Sequence, residues 1–247
     1  MDIKLYEFPH SHFCEVARWA LDHKGLAYHS VPLLPGVHAS KMKRLGLQSS
    51  VPVLDVDGTL VQGASAILDF LDERFPQRSL STGIDVSEAN TIEASIASMI
   101  GVPIRRMCYE SLMPHPELVR FCFMHRSGML DKIAFRLLHG VLNKRLVAAY
   151  DITPSGAASA KSELLDAIEE FDKRLDGRAY LLGDSFTRVD LTFAALFALM
   201  VMPENYPVPW PQKFNSLSIK NWFDQRSSSR SYQHVVAMYA KHRDKLS

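Results

Sequence analysis

Cysteine, one-sided charge and long apolar runs are all scarce in this chain. Only three cysteines, Cys14, Cys108 and Cys122, occur in 247 residues. They are too few and too scattered for a disulfide framework, and no basic and apolar leader precedes Lys4, so a reducing cytoplasm is the expected compartment. Lysine and arginine number 28 against 27 acidic residues. The balance is local as well, with 8 basic and 9 acidic side chains through residue 80 and 20 and 18 after it. A nucleic-acid partner, which calls for a basic stripe, is therefore not expected. The longest apolar run, Leu191–Met202 with Thr192 inside it, falls about six residues short of the roughly 18 that a membrane span needs. It predicts a buried helix rather than membrane insertion. Internal repeats and low-complexity tracts are absent.

What the chain does have is 47% hydrophobic residues, enough at this length for an ample core and two modest domains. Ile3, Leu5 and Phe8 alternate with Lys4 and Glu7 as in a strand, whereas Cys14, Val16, Ala17, Ala20 and Leu21 recur at helical spacing. A second alternating run, Ala27–Leu33, closes at Pro35 and Gly36. Strand, helix and strand predict a parallel crossover unit. Lys41–Leu45 supplies a short helix, and Val51–Val56 meets Thr59–Val61 across Asp57-Gly58, a strong hairpin signal. Ala66, Ile67, Phe70 and Leu71 then predict a helix over Ser65–Phe75, ended by Pro76. These elements close an α/β unit over residues 1–78, followed by a polar linker over 79–86 and a helical domain over 87–247. Within the latter, Ile92, Ile96, Met99 and Ile100 form one stripe of a helix over Ser87–Met107, with a kink or split expected at Gly101-Val102-Pro103. Further helices are expected from Pro116, over Met129–Ala149 and over Ser159–Leu175. Thr187-x-x-Asp190 reads as a capping box ahead of Leu191–Met202. A loop rich in proline and aromatics, Pro203–Pro211, leads to two short helices near Leu217–Asp224 and Tyr232–Lys245.

The chemistry concentrates at Pro9-His10-Ser11-His12-Phe13-Cys14, where a strand gives way to a helix N-terminus. Unpaired amides and the helix dipole favour negative charge there. Ser11 can serve as N-cap, or its hydroxyl can donate to a bound thiolate, and both roles use the same geometry. Moving a thiol from about 8.5 to about 6.5 needs roughly 2.7 kcal/mol of preferential thiolate stabilisation. One charge-assisted hydrogen bond at about 1.5–3 kcal/mol plus a dipole term of about 0.3–1 kcal/mol suffices. Cys14 has the spacing of a C-x-x-C motif whose first cysteine is Ser11. It reads either as a small buried hydrophobe or as a nucleophile favoured by His12. His10-x-His12-x-Cys14 lacks a second ligand-spaced pair, so no metal is expected. Val51-Pro52 reads, on physical grounds alone, as an ordinary edge-strand proline with a trans bond.

Leu5-Tyr6 leading into Ser11-x-x-Cys14 and Val16-Ala17-Arg18-Trp19-Ala20-Leu21 is one of four connected signatures. The others are Val51-Pro52-Val53-Leu54, Ala66-Ile67-Leu68-Asp69-Phe70-Leu71 and Gly183-Asp184-Ser185-Phe186-Thr187-Arg188-Val189-Asp190-Leu191. In these the chain resembles the glutathione S-transferase superfamily over nearly its whole length. The resemblance implies a thioredoxin-like α/β N-terminal domain plus an all-α C-terminal domain. It further implies glutathione as co-substrate, a small hydrophobic electrophile as second substrate, and a homodimer. Ser11 matches the catalytic hydroxyl of serine-type classes such as zeta and tau, and the cysteine of omega-like thiol transferases. Tyr6 falls too early in its strand for a tyrosine-type catalyst. The resemblance implies a cis Val51-Pro52 bond, with the Val51 backbone holding the thiol peptide. Where relatives read Glu-Ser-x-Ala-Ile to grip the γ-glutamyl end, this chain reads Gly63-Ala64-Ser65-Ala66-Ile67. Both gripping side chains are absent, leaving Gln62, Ser65 and the amides of Gly63, Ala64 and Ser65. A lysine often precedes the Val-Pro pair; here it is Ser50, with Gln48 and the Lys41–Arg44 cluster as substitutes. The second-substrate pocket is implied at Phe13, Ile100, Pro103, Arg106, Met107 and Tyr109, with Pro203–Trp210 as a lid. Arg105 and Arg106 either attract an anionic substrate or answer Glu110 and Glu88 at the surface. Two other functions compete: a binding or interaction module that has lost glutathione, and a thiol transferase dependent on Cys14.

Overall fold

In a computed structural model of the chain, the described residues are 1–126, 128, 135, 140, 144 and 146–243. Four short strands, β1 (Ile3–Glu7), β2 (His29–Pro32), β3 (Val53–Val56) and β4 (Thr59–Gln62), form one mixed sheet in the order β2-β1-β3-β4. β1 and β2 pair in parallel, and helix α1 (His12–His23) makes the crossover that a parallel pair requires. β3 runs antiparallel to both β1 and β4. Asp57 and Gly58 take φ of 50° and 90° between β3 and β4, the positive-φ pair of a primed hairpin turn. Helices α2 (His38–Arg44) and α3 (Ala64–Arg74) complete this unit. Alternation along the strands divides the side chains between two faces. Ile3, Leu5, Leu54 and Val56 join the large core with Val16, Trp19 and Ile67, while Tyr6 and Val53 pack with Leu33 and Met42 of the α2 side.

The remainder is helical. α4 (Val86–Ile96) passes through a π-helical turn, Ala97–Gly101, into α5 (Val102–Leu112). The expected break is thus a bulge rather than a split: Pro103 has no N–H for the ladder, and the Val102 amide reaches back five residues to the Ala97 carbonyl. α6 (Pro116–Met124), α7 (Pro154–Arg174), α8 (Arg188–Val201), α9 (Ser218–Asp224) and α10 (Arg230–His242) follow. The helix expected over Met129–Ala149 lies mostly outside the described residues. α8 is buried along its whole length except at Leu199 and packs on α1, α4 and α10. Its capping box is formed, with the Thr187 amide donating to Asp190 Oδ2 at 3.1 Å and the Val189 amide to Thr187 Oγ1 at 3.3 Å. Among the described residues no helix is long and apolar enough to cross a membrane.

Candidate active site

Ser11 caps α1. Its backbone is extended (φ −80°, ψ 120°), and its Oγ accepts the Cys14 amide over a long 3.4 Å. That bond uses an oxygen lone pair, and the hydroxyl also hydrogen-bonds the Cys14 thiol, favouring its ionised form against the larger effect of burial. The loop is fixed from behind. The Ser11 amide donates to the Phe8 carbonyl at 2.9 Å, and the Ser11 carbonyl accepts both the Glu15 amide at 3.0 Å and Arg18 Nη2 at 3.2 Å. Arg18 is itself buried in a chain of ion pairs: with Glu7, with Glu15 (2.8 Å), and through Glu15 to Arg243 (2.9 Å) and Asp22 (2.7 Å). A buried guanidinium held by two carboxylates is an anchor that cannot leave without stranding charge.

The neighbouring nucleophiles and imidazoles are occupied or sealed. Cys14 is completely buried, and that burial pushes its thiol up to about 12. His12 is buried as well, bonded through Nε2 to the Gly101 carbonyl (3.0 Å), and burial pushes it down to about 3. It is neutral, so it lends Cys14 no charge. His10 bridges the Cys122 and Pro209 carbonyls through its two ring nitrogens at 3.1 and 3.0 Å, and burial pushes it down to about 4. His10 and His12 therefore serve separate carbonyls. Tyr6 lies under Lys41, whose Nζ sits 4.6 Å from the ring centre.

Ser11 opens on a cavity of about 650 Å³, part of it continuous with solvent, whose walls include Phe8, Tyr109, Phe123, Trp210 and Phe214. Cys108 and Leu112 continue the wall on α5, Cys122 on α6, and Leu199, the one side chain of α8 that is not buried, faces it too. Trp210 and Pro211 bring the Pro203–Pro211 loop over this space, and the Trp210 indole N–H donates to the Pro203 carbonyl at 3.0 Å.

On the sheet side the Val51-Pro52 peptide bond is cis. Gln62 is tied into the preceding loop: its Nε2 donates to the carbonyls of Gln48 and Ser50 (2.8 Å each) and to Ser50 Oγ (3.0 Å), and its Oε1 accepts the Gln48 amide. Gly63, at φ 100°, begins α3, and no side chain caps that helix. The amides of its first turn are therefore open. The Ser65 hydroxyl is committed to Glu93 (2.7 Å) and Asn90 (3.0 Å). Behind it the fully buried Arg188 donates to Glu93 from Nε (2.6 Å) and Nη2 (3.0 Å), to Asn90 (2.9 Å) and to the Ser65 carbonyl (3.3 Å), and it pairs with Asp69. Ala64, Ser65, Asn90, Glu93 and Phe13 line a second hollow of about 540 Å³.

A thiol-ready cap, an adjoining cis proline and an uncapped α3 make up the site geometry. Residues 5–79 match the family described as glutathione S-transferase, N-terminal domain, and residues 141–229 match glutathione S-transferase, C-terminal domain. The chain belongs to the glutathione S-transferase superfamily. It combines the superfamily's thioredoxin-like unit with its all-α unit. A curated relative, glutathione S-transferase TCHQD of Arabidopsis thaliana, is 24% identical over 226 residues, 83% of this chain and 80% of the relative. Maleylacetoacetate isomerase of Pseudomonas aeruginosa is 32% identical over 117 residues, 45% of this chain and 54% of the relative. Among solved structures, a glutathione S-transferase of Ceriporiopsis subvermispora in complex with glutathione superposes with a TM-score of 0.60 at 17% identity, covering 99% of this chain and 98% of its own.

Within this transferase fold, the residues expected at a second-substrate pocket divide. Tyr109 faces the Ser11 cavity. Ile100 and Met107 lie in the core, Pro103 is buried outside the lining, and Arg106 donates to the Tyr150 carbonyl at 3.2 Å. Phe13 borders the second hollow instead. Sequence reading missed Phe8, Cys108, Leu112, Cys122, Phe123, Leu199 and Phe214. The signal available for α5 was the stripe at positions 105, 108, 109 and 112, which has the i, i+3, i+4, i+7 spacing of one helix face.

Proposed function

We propose that this chain is a glutathione transferase in which the Ser11 hydroxyl donates a hydrogen bond to the glutathione thiolate, the thiol's own proton having passed to solvent. The sulfur then attacks a small hydrophobic electrophile held in the aromatic cavity. One observation carries the reading: Ser11 is at once the cap of α1 and a wall of that cavity. A sulfur beside Ser11 would meet the helix dipole and one charge-assisted donor, the two contributions needed to keep it ionised near neutrality.

The Val51 backbone next to the cis proline is the element assigned to the thiol peptide. Because Gln62 and Ser65 are engaged within the protein and the Gly63 amide donates to the Pro52 carbonyl at 3.0 Å, the γ-glutamyl carboxylate is assigned to the open amides at Ala64 and Ser65. Ser50, locked by Gln62, shapes the glycine end rather than binding it through charge. Relatives solved with glutathione or glutathione sulfonate bound support glutathione as the co-substrate. The thiol-transferase alternative is disfavoured by the burial of Cys14. The same reading includes a cytoplasmic homodimer.

Ser11→Ala tests it. Ultraviolet absorbance of the bound thiolate at neutral pH should disappear, and kcat/KM should fall about ten- to a hundredfold, the value of one hydrogen bond to a charged group. Turnover unchanged by the substitution would remove Ser11 from the chemistry. Calorimetry showing no heat with millimolar glutathione would favour a binding module over an enzyme.

A further inference from the structure

Arg105 lies one helical turn before Cys108 and Tyr109, on the face of α5 that presents Cys108, Tyr109 and Leu112 to the Ser11 cavity. Arg105 differs from its neighbour. Arg106 is tied to the Tyr150 carbonyl, whereas no carboxylate among the described residues lies within ion-pair distance of Arg105, and its Nε is buried without a hydrogen-bond partner. Its guanidinium carbon lies over two aromatic rings, 4.2 Å from the Tyr150 ring centre and 5.4 Å from that of Phe13, two residues beyond Ser11. Stacking leaves the edges of a guanidinium, where its donors lie, free for an in-plane partner. A half-buried cation with no carboxylate partner among the described residues, one helical turn from the wall of an apolar cavity, is suited to a carboxylate, which it can meet with two parallel hydrogen bonds.

We infer that the electrophile this chain accepts carries a carboxylate on an aromatic or unsaturated body, the body seated in the Ser11 cavity and the carboxylate on Arg105. This rests on reading that cavity as the electrophile site. It makes Arg105, and not Arg106, the specificity-determining arginine.

The test needs neither glutathione nor turnover, so it stands apart from the transferase reading. Dissociation constants for para-nitrobenzoate and para-nitrobenzamide, two probes of the same shape and different charge, are measured by quenching of tryptophan fluorescence, Trp210 being in the cavity wall. The native chain is expected to prefer the benzoate roughly tenfold or more, as one hydrogen-bonded charge pair allows. Arg105→Gln should abolish the preference, and Arg105→Lys, which keeps charge but not the planar fork, should retain part of it. Equal affinity for the two probes in the native chain, or a preference that survives Arg105→Gln, overturns the inference. So does a change in glutathione affinity on Arg105→Gln with the probe preference intact, which would assign the guanidinium to the co-substrate. A clear benzoate preference in a protein that turns over no electrophile would sink the transferase reading and leave this one standing.

Discussion

Arg188→Met tests the buried network beneath the first turn of α3. Arg188 is fully buried, and the substitution preserves much of its apolar stem while deleting every donor. Among the described residues Glu93, 3% exposed, then keeps only the Ser65 hydroxyl as a donor, and Asp69, about half exposed, is rehydrated. The Asp69 pair is partly solvated and contributes little. The loss therefore comes from Glu93: stranding one partner of a buried ion pair costs about 3–5 kcal/mol. Burial already pushes the Glu93 carboxyl above its ordinary value against the pull of Arg188, and without Arg188 only the Ser65 hydrogen bond opposes that push. A carboxyl whose folded pKa exceeds the unfolded one, about 4.3, takes up its proton more readily when folded. Its contribution to stability is fully present below the unfolded value and is lost as pH rises through the folded one. The gap between native chain and variant should thus be small near the unfolded value and widen toward neutrality, and Glu93→Gln added to Arg188→Met should recover most of it. Urea unfolding followed by tryptophan fluorescence, at fixed protein concentration and at acidic and neutral pH, measures this. A neutral-pH gap below about 1 kcal/mol, or one that does not shrink in acid, would refute the reasoning.

Two further outcomes follow from burial and capping. Cys14 and Cys108, both buried with their thiols pushed up by burial, should take no iodoacetamide in the folded protein and react fully in denaturant. A mass adduct on Cys14 under native conditions would reopen the thiol-transferase alternative. Thr187→Ala removes the acceptor of the Val189 amide and should lower the unfolding free energy by about 1 kcal/mol; an unchanged urea midpoint would show that the cap contributes nothing.

Local signals were readable wherever a single turn of chain settles the geometry. Asp57-Gly58 supplies the two positive φ angles of the hairpin, Ser11 the cap of α1, and Thr187 with Asp190 a capping box, because each depends on residues at most a few positions apart. The phase of α5 was not readable in that way. Ile100, Pro103 and Met107 offer as apolar a stripe as Cys108, Tyr109 and Leu112, and which stripe faces the cavity depends on where the other helices pack.

By itself the sequence determined the strand and helix order, the serine at the first helix N-terminus and the small residues Gly63 and Ala64 at the start of α3. Only the tertiary structure decided which polar side chains are free. Gln62, Ser65 and Arg106 all look available on paper. The fold commits them to Gln48 and Ser50, to Glu93 and Asn90, and to Tyr150, and among the described residues leaves Arg105 Nε without a hydrogen-bond partner. Hydrogen bonding saturates, and partners drawn from distant segments meet only once the chain has folded.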